Sequence, residues 1–201
     1  MRIVACGIFQ LELEHILDEI KAEWASAAEI KVTYTEPALH VDYDSLKDSL
    51  TTSLTTASEE KLILFLGSMC HPEIGELSQK RCAARLQANN CIEAILGKKV
   101  IDDMQHSSNI FCITPGWLQN WEKIFRQGQG WDEIDARQNF GFYDKILLLD
   151  TGVSELNEID ILEFFEYTQV PIETQKVELD ILKKNVVETL RKTFSKEILT
   201  Y

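Results

Sequence analysis

The sequence predicts one α/β domain over residues 1–201, built on a mostly parallel, doubly wound sheet with helices on both faces. Short apolar runs alternate along the chain with amphipathic stretches of helical spacing. The run at 62–66 is apolar without interruption, which is typical of a strand covered on both faces. Strands separated by helices favour parallel pairing with right-handed crossovers.

The first part of the chain contains three predicted strands, the third of which ends at Gly67. Ile3 to Ile8 is a short apolar run, and Ile30 to Thr35 alternates apolar and polar positions. A helix between them is predicted from apolar residues at spacings of three and four, namely Leu13, Ile16, Leu17, Ile20 and Trp24. Asp44 or Ser45 is predicted to cap a second helix. That helix carries three apolar residues at a spacing of four, namely Leu46, Leu50 and Leu54.

Residues 67–90 show no clear hydrophobic periodicity that would predict a helix or a strand. At the end of this segment, Asn89-Asn90 is a predicted turn or helix cap. A short helix is expected from Cys91 until Gly97 ends it. The remaining expected elements are a strand at 110–114, a helix at 117–125, a strand at 145–150 and helices at 156–167 and 179–194.

The charge balance excludes several function classes. The chain has 33 acidic and 20 basic residues, a formal net charge of −13. We therefore expect neither a nucleic-acid partner nor an anionic membrane surface, since both require concentrated basic residues.

No apolar run approaches the roughly 20 residues of a membrane span. The odd count of 5 cysteines, with no export signal, favours a reducing cytoplasm over a disulfide scaffold. The partner that we expect is a small-molecule ligand.

Four soft-metal ligands are expected at one edge of the sheet, because ligands of open α/β sheets bind beyond the carboxyl ends of the strands. Cys6, His40 and Cys70 follow the first three strands, and Cys91 begins a helix. Thiolate and imidazole are the usual zinc ligands and also suit iron. This set predicts a Cys3His metal site, zinc first and iron as the alternative. The competing interpretation is that these cysteines only pack in the core.

Six further residues are candidates for substrate binding: His71, Thr114, Gly116, Trp117, Asp150 and Gly152. The turn at 114–117 precedes a helix whose free N–H groups suit an anion, or it is an ordinary strand-to-helix turn. His71 is interpreted as a replacement ligand, as a base or as a solvated loop residue. Asp150 either binds substrate or caps the next helix. Dinucleotide, P-loop and nucleophile-elbow motifs are absent from the sequence.

Taken together, ordered segments across Ile3 to Leu182 resemble the domain-of-unknown-function 1638 family. Those segments are Ala5–Phe9, Glu12–Glu14, Ala38–His40, Cys70, Cys91–Gly97, Thr114–Trp117 and Leu149–Gly152. The family comes from methanogens and other anaerobes, and its genes often lie beside corrinoid-dependent methyltransferases. It commonly reads His-Asp-Cys where this chain has Asn89-Asn90-Cys91, and Cys-Gly where this chain has Cys70-His71. These departures leave open whether His71 replaces a ligand lost at Asn89.

The resemblance implies a role in one-carbon or corrinoid metabolism. We therefore expect a metal-binding cytosolic protein of corrinoid-dependent methyl transfer, such as a methyltransferase component. The alternative is a non-catalytic accessory module that binds a corrinoid protein, with structural cysteines. The pattern Asp-x-His-x-x-Gly is absent, so any corrinoid is expected on a partner protein. The 4 tryptophans and Phe164-Phe165 suit the face of a homodimer, although burial in the core explains them equally well.

Overall fold

A computed structural model describes residues 1–24, 27, 29–56 and 61–193. Within them the chain forms seven strands: β1 (Arg2–Cys6), β2 (Lys31–Thr35), β3 (Leu62–Phe65), β4 (Ala84–Arg85), β5 (Ile110–Ile113), β6 (Lys145–Asp150) and β7 (Ile172–Lys176). The same residues form nine α-helices: α1 (Gln10–Glu23), α2 (Tyr43–Thr56), α3 (Ile74–Lys80), α4 (Cys91–Leu96), α5 (Lys98–Ser107), α6 (Pro115–Gln119), α7 (Glu133–Phe140), α8 (Glu158–Thr168) and α9 (Asp180–Thr193).

The predicted α/β class and the parallel pairing are confirmed, with the strands divided between two sheets. One sheet has the order β2-β1-β3-β4 and the other the order β5-β6-β7, and all strand pairs are parallel. A shared core joins them, because Leu147 and Leu149 of β6 belong to the same buried cluster as Ile3 and Phe65 of the first sheet.

Helices cover both faces of the first sheet. Ile3 of β1 and Ile63 of β3 lie in a cluster with buried residues of α1, α4 and α9. Val4 and Leu64 point to the opposite face and pack with residues of α2 and α3. All four residues of β3 are buried, as its apolar sequence predicts.

Several elements differ from the sequence-based prediction. The expected helix at 117–125 is split into α6 and a π-helical segment, Glu122–Gly128. Asp42 caps the start of α2, since its carboxylate accepts hydrogen bonds from the backbone N–H and the hydroxyl of Ser45. Helices α3, α5 and α7 and strands β4 and β7 were not predicted. Of the last expected helix, Phe194 lies outside the described residues.

The aromatic residues considered for a dimer face are divided between core and surface. Phe164 is fully buried and Trp121 nearly so, whereas Phe165 is 37% exposed. No helix in the described part of the chain combines the length and the apolar character that crossing a membrane requires.

Candidate functional site

The four predicted ligands line one cavity. Cys6, His40, Cys70 and Cys91 surround a space of about 260 Å³ at the carboxyl ends of β1 and β3, with Trp117 as an aromatic wall. Three apolar side chains complete its inner walls, namely Ile8, Phe9 and Leu66. None of the described residues that line this cavity is an acid, a lysine or an arginine. The cavity therefore combines a mostly apolar surface with a few soft donor atoms.

Parallel topology explains why residues so distant in sequence meet here. Cys6 is the last residue of β1, and His40 lies in the short 3-10 turn that follows β2. Cys70 lies in the turn after β3, where its N–H donates to the carbonyl of Gly67 at 3.1 Å. Cys91 begins α4, whose first turn is capped by Asn90. Because the carboxyl ends of parallel strands share one edge, these turns meet at one place.

The turns that carry Cys70 and Cys91 cross at Gly67. A Cβ atom on Gly67 would lie 2.2 Å from the carbonyl oxygen of Asn89, so only glycine fits this crossing. The backbone N–H groups of Ser68 and Met69 donate to the carbonyls of Ala88 and Asn89 at 3.0 and 2.9 Å. This contact fixes the positions of the two turns relative to each other.

His40 is held in the tautomer that leaves one ring nitrogen as a potential ligand. Its Nδ1 lies 3.0 Å from the carbonyl oxygen of Pro37. A carbonyl only accepts, so Nδ1 carries the hydrogen and Nε2 keeps its lone pair in the neutral ring. Burial lowers the pKa of His40, which favours that neutral form. Metal-binding histidines commonly show this backbone hydrogen bond on the nitrogen opposite the ligand atom.

The three cysteines are neutral thiols at pH 7. Burial raises the pKa values of Cys6 and Cys91 to about 12, and it also raises the pKa of Cys70. The neighbouring thiols Cys91 and Cys70 raise the pKa of Cys6 further, since a second thiolate nearby is unfavourable. The indole Nε1–H of Trp117 donates to Cys91 Sγ at 3.3 Å. The described residues place no cation in the cavity lining to stabilise a thiolate.

The described residues do not form a complete metal-coordination site. There, no group of three or more His, Cys, Asp or Glu side chains is arranged so that it could hold a metal ion. The predicted ligands share a cavity, but they do not converge on a common point as they stand. Metal binding by this set therefore requires the ligand side chains to come closer together.

His71 does not line the cavity, and both of its ring nitrogens have backbone partners. Its Nδ1 accepts a hydrogen bond from the N–H of Glu73 at 3.0 Å, so Nε2 carries the hydrogen and donates to the carbonyl of Tyr43 at 3.1 Å. The ring is 3% exposed. In this arrangement His71 connects the loop after β3 to the start of α2, and neither nitrogen is available to a ligand.

Four other candidate residues also have local structural contacts and lie off the cavity lining. Thr114 caps α6 by accepting the N–H of Trp117 at 3.4 Å. A Cβ atom on Gly116 would lie 2.3 Å from the carbonyl oxygen of Ile8, so this glycine allows α6 to approach the end of β1. Asp150 accepts the N–H of Gly152, which has a φ of +70°, in the turn after β6. Of the six residues predicted to bind substrate, only Trp117 lines the cavity.

Two residues at the mouth of the cavity have no counterpart among the candidates predicted from the sequence. Met69 is 71% exposed and Tyr43 is 52% exposed, and both line it. Met69 is adjacent to Cys70 in sequence, so the same position after β3 could have indicated it. Tyr43 begins α2, and no sequence pattern distinguishes it from a surface aromatic residue.

Comparison with known proteins identifies a family. Residues 34–186 match the family described as "Protein of unknown function (DUF1638)". The chain belongs to this family. The matched region includes three of the four predicted ligands, His40, Cys70 and Cys91, and it begins after Cys6. No curated protein and no solved structure matches the chain.

Proposed function

We propose that this member of the DUF1638 family binds a thiophilic metal ion, zinc in the first place and iron as the alternative, through Cys6, His40, Cys70 and Cys91. One observation carries the proposal: four zinc-type donors from four separate turns line a single cavity of about 260 Å³.

The chemistry of the cavity supports this assignment. His40 presents an unprotonated Nε2, because Pro37 holds the hydrogen on Nδ1. The thiols are protonated because they are buried and the described cavity lining supplies no positive charge. A bound divalent ion supplies that charge and so stabilises thiolates at neutral pH. The mostly apolar walls lower the local dielectric, which strengthens the electrostatic interactions inside.

The reaction class that we propose is the corrinoid-dependent methyl transfer implied by the family resemblance, in the cytoplasm that the free cysteines favour. In this proposal the chain binds a small ligand against Trp117 while a partner protein carries the corrinoid. A titration of the chain into a methylated corrinoid protein, followed by the corrinoid absorbance, tests this part. A complex or a spectral change is expected, and the absence of both contradicts it.

Zinc content and affinity test the metal site directly. Protein purified anaerobically and loaded with zinc is expected to retain about one ion per chain, as in a four-ligand site. Cys70→Ala and Cys91→Ala should each lower the affinity by at least about tenfold. Cobalt substitution provides a second readout, because thiolate coordination gives absorption bands that aqueous cobalt lacks.

The remaining two cysteines provide matched controls. Cys82 is exposed, and Cys112 lies in β5 outside this cavity. Cys82→Ser and Cys112→Ala should bind zinc as the unaltered chain does. Folded protein that retains no zinc overturns the proposal, as does binding that survives in the Cys70 and Cys91 variants.

A second candidate is a non-catalytic binding module whose cysteines are structural. It is favoured by the lack of a ready coordination group in the described part of the chain and by the Trp117 hydrogen bond to Cys91. On this proposal, Cys91→Ala lowers the free energy of unfolding equally in the presence and absence of zinc. A destabilisation that appears only with zinc contradicts it.

A further inference from the structure

A cationic cleft lies at the other end of the first sheet. It has a volume of about 620 Å³ and is bordered by Lys61, Arg85 and Lys192. Lys61 precedes β3, Arg85 ends the two-residue strand β4, and Lys192 is in the last turn of α9. The length of β3, roughly 13 Å at about 3.3 Å per residue, separates it from the cysteine cavity. The two sites are therefore independent.

The charge of this cleft is opposite to that of the whole protein. The chain carries a formal net charge of −13, yet no carboxylate is among the described residues that line the cleft. Five lysines elsewhere form ion pairs with carboxylates at 2.6–3.1 Å, namely Lys47, Lys80, Lys98, Lys145 and Lys183.

The three cleft cations differ from those lysines. In the described ranges, the side chains of Lys61, Arg85 and Lys192 make no ion pair and no hydrogen bond. Arg85 is half-buried, with its Nη1 near Gly75 of α3, so its position is limited by packing. Among the described residues, positive charge is thus concentrated here without a paired carboxylate, in a protein that has an excess of acids.

We propose that this cleft binds the phosphate chain of a polyphosphate compound. A guanidinium group binds phosphate oxygens in a bidentate manner, and lysine ammonium groups add flexible point charges. The triple positive charge suits a polyphosphate better than a single carboxylate. No aromatic ring is among the described lining residues, so this part of the lining offers a nucleobase no stacking surface. The phosphates therefore carry the binding.

Isothermal titration with inorganic tripolyphosphate at low ionic strength tests the proposal. One ion per chain is expected, with an affinity that falls as salt is added. Arg85→Gln, Lys61→Gln and Lys192→Gln should each weaken binding about tenfold, as expected for the loss of a charge-assisted hydrogen bond. Lys98→Gln makes the same charge change at the Asp102 ion pair outside the cleft, and it should alter the affinity by less than about twofold.

Several outcomes overturn the assignment. If tripolyphosphate shows no saturable binding, the proposed site does not exist. If Lys98→Gln weakens the binding as much as the cleft variants do, the effect is one of general charge and the assignment is wrong. Orthophosphate that binds as tightly as tripolyphosphate contradicts a polyphosphate site. ATP that binds more than about tenfold tighter shows that a base contributes, against the proposal. Circular dichroism of each variant ensures that losses come from the cleft, and zinc loading should leave the affinity unchanged.

Discussion

The crossing at Gly67 allows a sharp test of the structure, since Gly67→Ala introduces one methyl group between two backbone segments. The new Cβ would lie 2.2, 2.5 and 2.6 Å from atoms of Asn89 and Asn90. All three atoms belong to the backbone, so none can rotate away. The shortest distance falls about 1.2 Å below the 3.4 Å at which ordinary contact begins. The two turns must therefore separate.

The free-energy cost of this separation has two contributions, the overpacking itself and the loss of backbone hydrogen bonds across the contact. Overpacking of a tight site costs about 1–3 kcal/mol. The backbone hydrogen bonds donated by Ser68 and Met69 cross this contact, and each contributes about 1 kcal/mol. Gly67→Ala should therefore lower the free energy of unfolding by about 3–5 kcal/mol. For a chain of this length that is a drop in Tm of roughly 6–20 °C.

Urea unfolding followed by circular dichroism, together with calorimetry, measures this effect. Gly75→Ala is the matched control, because its Cβ would meet only Arg85 Nη1 at 3.8 Å inside helix α3. It should be neutral or should stabilise the protein by up to about 1 kcal/mol. A Tm for Gly67→Ala within about 2 °C of the unaltered chain would refute the crossing geometry.

Two other substitutions test the contacts around the site. His71→Ala leaves the N–H of Glu73 without its acceptor and removes one donor from the carbonyl of Tyr43, which is part of helix α2. The loss of the acceptor should cost about 1–3 kcal/mol, measured by urea unfolding. Zinc affinity should not change, and a loss of affinity in folded protein contradicts the structural role. Burial raises the pKa of Glu12, whose Oε2 has no hydrogen-bond partner among the described residues. The folded state therefore keeps the carboxyl proton at a pH where the unfolded state has released it. Stability from this group therefore falls as pH rises above the unfolded pKa of about 4.3. Glu12→Gln should consequently gain stability relative to the unaltered chain as pH rises above that value. A stability difference that is independent of pH would contradict this.

The apolar strands could be predicted because a strand buried on both faces has an uninterrupted run of apolar residues. β3 and β6 lie on the apolar runs that predicted them. β1 overlaps its predicted run but ends at Cys6, because Gly7–Phe9 form a 3-10 helix. β7 has the sequence Ile-Glu-Thr-Gln-Lys and is mostly exposed at the edge of the second sheet. It forms a strand because β6 provides backbone hydrogen-bond partners. Backbone pairing requires no periodic arrangement of apolar residues, so the sequence does not indicate this strand.

The sequence predicted which turns meet at the candidate site, but it did not predict the directions of their side chains. The rule for carboxyl ends of parallel strands anticipated that Cys6, His40, Cys70 and Cys91 would lie together, and the structure places all four on one cavity. The same rule failed to exclude His71 and Asp150, which occupy equivalent positions in the chain. Side-chain direction decides their contacts, and it depends on partners such as Tyr43 and Glu73.

The sequence alone determined the α/β class, the parallel strands and the cysteine-bearing turns, because these depend on local hydrophobic pattern and on the chirality of chain connections. Tertiary structure alone decided that the strands form two sheets, that Gly67 joins two turns, and that Lys61, Arg85 and Lys192 gather at the amino end of β3. These features come from contacts between residues far apart in the chain. Each depends on the packing of several elements, which no local sequence pattern specifies.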